Sequence, residues 1–390
     1  MNVAIFDYKV VPSNPVGSCH RTMLASLCEL HEFTVFAVEF DNPCPGRIRH
    51  VRVPVPTRPL ALLFVLYHLV APFVYWVYCL RARVRFEVVQ IVESNVAFGD
   101  VSYTHFCHRA YLRRGWVLAR GKGLRAWLRW LDHWFHALTE PWVYRRVRRI
   151  VVPSQGLKRE LEETYSFVRG KVTVIPNAVD LERLRAPEDF DRDSFRRGWG
   201  VGPHEVVLVF VALGHFERKG LPIVLEVLKD VGDSWVKLWV VGGERDLVRE
   251  WRDRSEQMGL SRIVSFFGMQ RDVRPFLWSA DAFVLPSAYE TFSLVSLEAA
   301  AAGLPVIVTR VHGVEEYMQD GETGFVVERS VEELKRALLR LLSLAPAARR
   351  ALGERAREAV ARFGLEGFEK AWCRFYADAP WEGTSSGGGV

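Results

Sequence analysis

The chain has 390 residues, of which 49% are hydrophobic and 25% charged, and its formal net charge is +6. This composition excludes a disordered chain, a collagen-like chain and a protein embedded mainly in a membrane. The length exceeds what one hydrophobic core usually supports, so we expect two domains.

Positive charge is concentrated at the start of the chain. Residues 1–150 contain 20 Lys and Arg against 10 Asp and Glu, whereas residues 151–390 contain 32 against 36. Because no nucleic-acid-binding motif accompanies it, this basic half favours an anionic membrane surface or an acidic acceptor over nucleic acid. The start has no signal-peptide pattern and the six cysteines are scattered, so we expect reduced thiols and a cytoplasmic protein, peripheral on the inner face of the membrane if it binds one.

In chain order, the first half alternates β-type runs with segments long enough to form helices. A short apolar run at 2–7 is followed by a loop that contains Pro15 and Gly17, and then by an apolar-periodic stretch at 23–30. Further strands are predicted at residues 33–40, 86–92, 101–106, 150–152 and 172–175. This alternation predicts a parallel sheet covered by helices.

Two long apolar segments lie within this first half. Residues 59–80 carry no formal charge and are long enough to span a bilayer. Pro72 interrupts them, and they lie between two strands of one sheet, which favours a buried or membrane-resting helix over a spanning one. Residues 122–149 combine an apolar stripe with a basic cluster at 145–149. Core packing and membrane contact both remain open for that stripe.

The alternation restarts after a polar stretch at 180–205, which we interpret as a linker. Strands are predicted at residues 206–212, 236–241, 263–267, 282–285, 306–308 and 325–327. The sequence therefore predicts two Rossmann-like halves. The last residues, 381–390, are rich in small side chains and are expected to be a flexible tail.

The most informative motif follows the predicted strand at 282–285. In PSAYETFSLVSLEAAAAG, Glu290 and Glu298 are eight residues apart, and a helix starts near Ser293 and Leu294. Helix starts bind anions through their free N–H groups, and nucleotide phosphates bind beyond the carboxyl ends of strands in open α/β sheets. A diphosphate site fits here, with Glu298 on a ribose diol and Glu290 on sugar hydroxyls, but the spacing alone still favours two surface glutamates beside an apolar helix start.

This stretch resembles the E-x7-E motif of the retaining glycosyltransferases of family 4. The resemblance covers most of the chain, including RRIVVPSQGLK, KVTVIPNAVD, LGHFERKGLPIVLEVL, GLPVIVT and DGETGFVV. It implies the GT-B fold, an α/β architecture of two Rossmann-like parallel-sheet domains facing a central cleft. The implied domains are an acceptor-side domain at 1–180 and a nucleotide-sugar-binding domain at 181–366, with a C-terminal helix at 367–380 that returns to the first.

A basic pair binds the donor diphosphate in this family, and Arg218 and Lys219 match it. Two cations can neutralise a leaving diphosphate without a metal ion, and the sequence offers no DxD-like pair of carboxylates in a suitable loop to hold Mg²⁺. Cys107 and its neighbouring histidines also have no second ligand cluster. We therefore expect no metal and no cofactor. His215 stands where many relatives have an arginine.

The resemblance implies further site residues. Gly17, within Val16-Gly17-Ser18, matches a glycine loop near the donor sugar and phosphate. His105 matches a histidine at the reaction centre, and Met269 is expected near the base. The implied catalytic residues are His105, Arg218, Lys219 and Glu290. The implied donor-binding residues are Gly17, His215, Arg218, Lys219, Met269, Glu290, Phe292, Ser293, Leu294 and Glu298.

The expected reaction moves a hexosyl group, with retention, from a UDP-sugar or GDP-mannose to a hydroxyl of a glycan or lipid-linked acceptor. In the family's favoured description the leaving phosphate helps to deprotonate the acceptor, so the protein supplies positioning and charge stabilisation. Two alternatives remain open. One is a nucleotide-sugar epimerase, which can share the GT-B architecture, and the other is a non-catalytic nucleotide-sugar-binding subunit.

Overall fold

The structure, a computed structural model, describes residues 1–57, 60–116, 124–231 and 235–378. The described chain forms two compact units. The first contains residues 1–114, 124–178 and 365–378, and the second contains residues 115–116, 179–231 and 235–364. The predicted tail at 381–390 lies outside the described residues.

A seven-stranded parallel sheet forms the centre of the first unit. The strands of this unit are β1 (Asn2–Phe6), β2 (Lys9–Val10), β3 (Glu32–Ala37), β4 (Glu39–Phe40), β5 (Ile48–Arg52), β6 (Val88–Val92), β7 (Val101–Tyr103), β8 (Arg149–Val152) and β9 (Val172–Val174). The large sheet has the order β5-β3-β1-β6-β7-β8-β9, and β2 pairs separately with β4. Both faces of a parallel sheet are covered, which is why the central strands are continuous apolar runs.

Helices cover this first sheet. They are α1 (Pro15–Leu27), α2 (Leu60–Ala82), α3 (His108–Ala110), α4 (Leu124–Arg146) and α5 (Gln155–Thr164). Helix α1 begins well before the predicted stretch at 23–30. Its start is defined by Asn14, whose side-chain oxygen accepts a hydrogen bond from the Gly17 N–H, and by Pro15 at the first helical position.

The second unit has a six-stranded parallel sheet. Its strands are β10 (Val206–Val211), β11 (Val236–Val241), β12 (Val264–Gly268), β13 (Ala282–Leu285), β14 (Val306–Thr309) and β15 (Gly324–Val327). Their order is β12-β11-β10-β13-β14-β15, so the chain reverses its direction of winding between β10 and β13. Ligands of open α/β sheets bind at such a switch point, beyond the carboxyl ends of the strands.

Helices also flank the strands of the second unit. They are α6 (Leu181–Leu184), α7 (Arg192–Gly198), α8 (Phe216–Lys219), α9 (Leu221–Val231), α10 (Arg245–Gln257), α11 (Arg274–Ser279), α12 (Leu294–Ala301), α13 (Val331–Ser343) and α14 (Pro346–Val360). Both α8 and α12 follow strands at the switch point, and the two helices therefore start at the same edge of the sheet.

The interpretation of residues 180–205 as a linker is wrong. This stretch contains α6 and α7, and Arg196 on α7 is 3% exposed. The Arg196 guanidinium donates to Asp281 Oδ2 at 2.9 Å and to the Ser279 carbonyl at 3.0 Å. The charged residues of this stretch suggested a solvated connection. One of them, Arg196, instead forms a mostly buried ion pair with Asp281 that joins α7 to the second sheet.

The last described helix, α15 (Leu365–Ala377), belongs to the first unit. Its Trp372 is fully buried and meets the Tyr103 ring edge-on, with 5.0 Å between ring centroids. The Tyr376 hydroxyl donates to Gln90 Oε1 at 2.8 Å. The core of the first unit is therefore built from both ends of the chain.

Among the described residues, one helical stretch, Leu62–Ala82 in α2, is long and apolar enough to span a membrane by length and composition. Its mean hydropathy is 1.8 and 22% of its apolar window is buried. One face packs inward, where the Tyr67 hydroxyl donates to the Phe36 carbonyl at 2.6 Å. The other face is exposed through Leu62, Val65, Leu69, Phe73, Trp76 and Leu80.

Helix α4 also has an exposed apolar face. Leu128 and Leu138 belong to the apolar stripe at 122–149, for which core packing was one alternative. Each is 50% exposed, so that alternative is wrong for these two side chains. The buried side of α4 carries Ala137, Glu140 and Tyr144 instead. The exposed face of α4 also carries Trp127, Trp134 and Trp142.

Candidate active site

The basic pair lies in a tight turn at the carboxyl end of β10. Helix α8 starts after His215, whose φ of +56° is uncommon for a residue other than glycine. Gly220 ends α8 with a φ of +86°. A Cβ at Gly220 would lie 2.1 Å from the Pro286 carbonyl oxygen, so only glycine permits this approach. The turn that carries the basic pair thus contacts the loop after β13 directly.

Side chains from these two loops meet. The Lys219 ammonium lies 2.6 Å from Glu290 Oε1, and the Ser287 hydroxyl donates to the same oxygen at 2.7 Å. The Ala288 N–H donates to the Arg218 carbonyl at 2.8 Å. The structure therefore brings together three of the four expected catalytic residues, Arg218, Lys219 and Glu290.

Burial and neighbouring charges act on the ionisation of this group. Burial by itself would raise the pKa of the Glu290 carboxyl, but the charges of Lys219 and Arg218 lower it below its usual value. Burial lowers the pKa of the Lys219 ammonium, and the positive charge of Arg218 adds to this while Glu290 opposes it. Within the described part of the chain, the buried Nε of Arg218 has no hydrogen-bond partner. The site therefore holds an excess of positive charge with an unused donor.

Helix α12 starts in the loop that carries Glu290. Its N-cap is Ser293, and Leu294 is its first residue. The Ser293 hydroxyl is buried and has no hydrogen-bond partner among the described residues. The N–H groups of a first helical turn are free to bind an anion. Phe292 is 8% exposed and its ring packs against Phe363, so its side chain supports the loop.

Glu298 lies inside α12, one turn or more from this anion-binding start. Although its side chain is partly exposed, the burial of the remainder raises the pKa of the Glu298 carboxyl to about 7. The positive charge of Arg183 has a smaller, opposing effect. A carboxyl group with this pKa changes its charge close to neutral pH.

Met269 follows β12 and is 50% exposed. It lines an open cavity of about 600 Å³ together with Gly243, Arg245, Phe267 and Gly268. The cavity lies at the carboxyl end of the second sheet, because Gly243 follows β11 and Met269 follows β12. Its mixed polar and apolar lining suits a flat heterocycle.

The remaining expected residues, Gly17 and His105, lie in the first unit. Gly17 does not lie in a loop, as the sequence suggested, but in the first turn of α1. A Cβ on Gly17 would lie 2.0 Å from the Lys9 carbonyl oxygen. Close packing of α1 against β2 therefore requires this glycine, whatever binds nearby.

His105 lies two residues after β7 and is 6% exposed. Its Nε2 is 3.2 Å from Asn177 Oδ1, and its buried Nδ1 has no partner in the described ranges. Burial lowers the pKa of His105 to about 3, so the imidazole is neutral at physiological pH. A neutral ring with one free nitrogen can exchange a hydrogen bond with a hydroxyl group.

Ser287, Thr309 and Glu93 were not singled out from the sequence, and His108 was considered there only as a neighbour of Cys107. Ser287 binds Glu290 and is itself fixed by Thr309, whose hydroxyl donates to the Ser287 carbonyl at 2.6 Å. In the first unit, Glu93 and His108 lie 3.3 Å apart, carboxylate oxygen to ring nitrogen. Each follows a predicted strand, which is the signal that could have indicated them.

Comparison with known families completes the assignment. Residues 18–183 match the family described as Glycosyltransferase Family 4, and residues 205–344 match the one described as Glycosyl transferases group 1. The chain belongs to the family 4 glycosyltransferases. The matched ranges include α8, the E-x7-E motif and the strand that precedes His105.

Individual relatives of this glycosyltransferase agree with that assignment. Over 235 residues it is 32% identical to the lipopolysaccharide core biosynthesis glycosyltransferase LpsE of Rhizobium meliloti (strain 1021). The aligned region covers 59% of this chain and 61% of LpsE. The match thus spans less than two thirds of the relative.

Solved structures share the fold of this glycosyltransferase. WaaG, a glycosyltransferase involved in lipopolysaccharide biosynthesis, has a TM-score of 0.75 at 20% identity, covering 97% of this chain and 100% of WaaG. HepE of Anabaena in complex with UDP-glucose has a TM-score of 0.69 at 18% identity, with coverage of 97% and 100%. The two parallel-sheet units have the GT-B fold.

Proposed function

We propose that this family 4 glycosyltransferase moves a hexosyl group, with retention of configuration, from a nucleotide-diphosphate sugar to a hydroxyl of a glycan or lipid-linked acceptor. The observation that carries the proposal is the Arg218–Lys219 pair, fixed against Glu290 at the switch point of the second sheet. Fixed positive charge at this place fits a nucleotide diphosphate.

The basic pair has the chemistry of a leaving-group site. As the bond to the sugar breaks, negative charge develops on the diphosphate, and cations already in position stabilise it without reorganisation. The unused Nε donor of Arg218 and the free N–H groups at the start of α12 add to this stabilisation. These groups supply the required charge without a metal ion, so we propose transfer that is independent of Mg²⁺.

The parts of the donor divide among neighbouring residues. Glu290, held by Lys219 and Ser287, accepts hydrogen bonds from sugar hydroxyls. Glu298 accepts hydrogen bonds from the ribose diol, and the cavity beside Met269 takes the base. His215, exposed at the start of α8, lies near enough in sequence to the basic pair to donate to a phosphate oxygen.

In the first unit, His105 is the proposed contact for hydroxyls at the reaction centre, because its ring is neutral and has a free nitrogen. Gly17 lets α1 approach β2 closely, and we propose that the first turn of α1 lies near the donor. Retention follows the family: the departing phosphate helps to deprotonate an acceptor that attacks from the same face of the sugar.

Names of related proteins guide the choice of substrates. LpsE and WaaG are named for lipopolysaccharide biosynthesis, and HepE was solved with UDP-glucose. We therefore propose a UDP-sugar ahead of GDP-mannose as donor, and a lipid-linked oligosaccharide as acceptor.

The acceptor proposal fits the surface of the first unit. Helices α2 and α4 each expose an apolar face, and basic residues flank both, at Arg81, Arg83 and Arg85 and at 145–149. An amphipathic surface of this kind lies in the interface of an anionic bilayer. We propose a cytoplasmic, peripheral position on the membrane.

The experiment has two stages. Melting curves with UDP, GDP and ADP identify the base, because a ligand at about 100 times its Kd stabilises the folded protein by about 2.7 kcal/mol. Transfer is then measured with the matching hexose donor and a truncated lipopolysaccharide acceptor, and the anomeric configuration of the product is determined by NMR. Release of UDP that requires the acceptor supports the transferase. Release without any acceptor would favour an epimerase, and binding without release would favour a non-catalytic subunit.

A further inference from the structure

A second group of polar side chains, none of which is assigned to donor binding, is buried in the first unit. We call Glu93, His108, His133 and His136 the histidine cluster. Glu93 follows β6, His108 begins α3 after β7, and His133 and His136 lie one turn apart on α4. Each of Glu93, His108 and His136 offers one ligand atom, and these three atoms lie within 4.8 Å of one another. All three residues are at least nine-tenths buried.

The backbone around His108 is held firmly. Glu140 on α4 is fully buried, and its two carboxylate oxygens accept the N–H groups of His108 at 2.6 Å and Arg109 at 3.2 Å. The Tyr165 hydroxyl also donates to Glu140, at 2.6 Å. Both carboxylate oxygens of Glu140 therefore already accept hydrogen bonds, and these bonds fix the start of α3. The side chain of His108 is therefore presented to Glu93 from a rigid position.

Glu93 itself has a φ of +49°, which is uncommon for a residue other than glycine. Such conformations are strained and cluster at functional sites. Here the strained residue carries the carboxylate whose Oε2 lies 3.3 Å from His108 Nε2.

His136 is the group that the protein leaves unsatisfied. It is 3% exposed, and its Nδ1 has no hydrogen-bond partner in the part of the chain that the structure describes. A buried polar nitrogen without a partner is destabilising and calls for an explanation. A metal ion bound by this nitrogen would supply the missing partner.

We propose that Glu93, His108 and His136 bind a divalent transition-metal ion of the zinc type. Two imidazoles and one carboxylate suit zinc, cobalt or iron, whereas magnesium and calcium prefer oxygen ligands throughout. The His108 and His136 rings are stacked, with centroids 4.1 Å apart and planes at 5°, so one ring rotates about its Cβ–Cγ bond when both nitrogens point to one ion. Three protein ligands leave a position open on a four-coordinate ion.

This site shares no residue with the proposed diphosphate site, whose cations are in the second unit. Its ion joins the loops after β6 and β7 to α4, the helix with the exposed tryptophans. Binding is tested without donor or acceptor, so failure here leaves the proposed transfer reaction unaffected.

The test uses untagged full-length protein, stripped with a chelator and titrated with Co²⁺. The expected result is a visible absorption band that saturates at one equivalent and disappears when Zn²⁺ is added. Loss of a direct ligand in His136→Gln or Glu93→Gln should weaken binding by at least about 100-fold, because even second-shell changes cost 10- to 100-fold. His204→Gln, an exposed histidine of the second unit, is the control and should bind like wild type.

Circular dichroism shows whether each variant is folded. Absence of a saturable Co²⁺ band in the wild-type protein would overturn the proposal by itself, without any variant. Unchanged Co²⁺ affinity in folded His136→Gln or folded Glu93→Gln would overturn it as well.

Discussion

The ammonium of Lys219 and the carboxylate of Glu290 form an ion pair, with 2.6 Å between Nζ and Oε1, across 71 residues of sequence. Their side chains are only 16% and 10% exposed. Each charge therefore depends on the other for compensation. The pair keeps a cation and an acceptor in place before a donor arrives, so little reorganisation is needed on binding.

The first prediction concerns this dependence. Lys219→Met should lower the free energy of unfolding by about 3 kcal/mol, because it leaves the buried Glu290 carboxylate without its ion-pair partner. Adding Glu290→Gln should restore most of that loss, while neither variant transfers sugar. Denaturant unfolding of both single variants and the double variant measures the coupling. If the two single effects on unfolding simply add, the ion pair is not what holds these residues.

The second prediction is that Arg218→Gln combined with Lys219→Gln abolishes transfer while the protein stays folded. Removing one electrostatic donor typically costs about 2 to 4 kcal/mol in the transition state, so a loss of at least about 1,000-fold in kcat is expected. The matched control is Lys335→Gln with Arg336→Gln, another adjacent basic pair, which is exposed on α13 and should have no effect. Full activity of the first variant would exclude this role for the pair.

The third prediction concerns Glu298, whose pKa burial raises to about 7 from a usual value of 4.5. The carboxylate must be ionised to accept two ribose hydroxyls. Nucleotide affinity of the wild-type protein should therefore rise about tenfold between pH 6 and pH 8 beyond any change seen in Glu298→Gln. The variant itself should bind nucleotide more weakly than wild type at pH 8, as calorimetry will show.

The same shift affects stability. A raised pKa means that the folded state favours the protonated form, so this contribution is present below pH 4.5 and is lost as the pH rises through about 7. Glu298→Gln should thus have a higher melting temperature than wild type at pH 8 and a similar one near pH 4.5. Equal nucleotide affinity of the two proteins at pH 8 would rule out ribose binding by Glu298.

The fourth prediction is that transfer does not require Mg²⁺, because Arg218, Lys219 and the start of α12 supply the positive charge. Turnover is measured with excess EDTA and then with added Mg²⁺, and the two rates should agree. Activity that disappears in EDTA and returns with Mg²⁺ would mean that a metal neutralises the diphosphate.

The fifth prediction is that the first unit binds anionic vesicles at low salt and is released at high salt. Several basic residues, each contributing about 1 kcal/mol, suffice for reversible binding. Trp76→Ser and Trp134→Ser should weaken sedimentation with vesicles, because these side chains are 59% and 44% exposed on α2 and α4. Trp235→Ser, exposed in the second unit, is the control. Protein that stays in the supernatant with anionic vesicles at low salt would end the membrane proposal.

Strands were predictable where burial on both faces makes them uniformly apolar. Predicted residues 236–241 and 282–285 coincide with β11 and β13 for this reason. β5 was missed because it is the edge strand of the first sheet and carries exposed polar residues, including Arg49 and His50, that hide an apolar pattern.

The site residues depended on a motif in some cases and on three-dimensional packing in others. Lys219 and Glu290 were found because each lies in a local pattern with a known chemistry. Position 17 requires glycine because a Cβ there would collide with the Lys9 carbonyl oxygen, and this contact is not visible in sequence. Likewise, periodicity revealed the stripe that includes Leu128 and Leu138 but not the side of α4 on which the core lies.

The placement of α15 has a consequence for biosynthesis. Domains usually fold in order as the chain leaves the ribosome. Here Trp372 and Tyr376 complete the core around Tyr103 and Gln90, so the unit that is translated first acquires its last buried side chains only after the entire second unit has been made. A chain released before residue 365 would hold a finished C-terminal unit and an incomplete N-terminal one, with the hydrophobic surface that normally receives α15 open to chaperones and proteases.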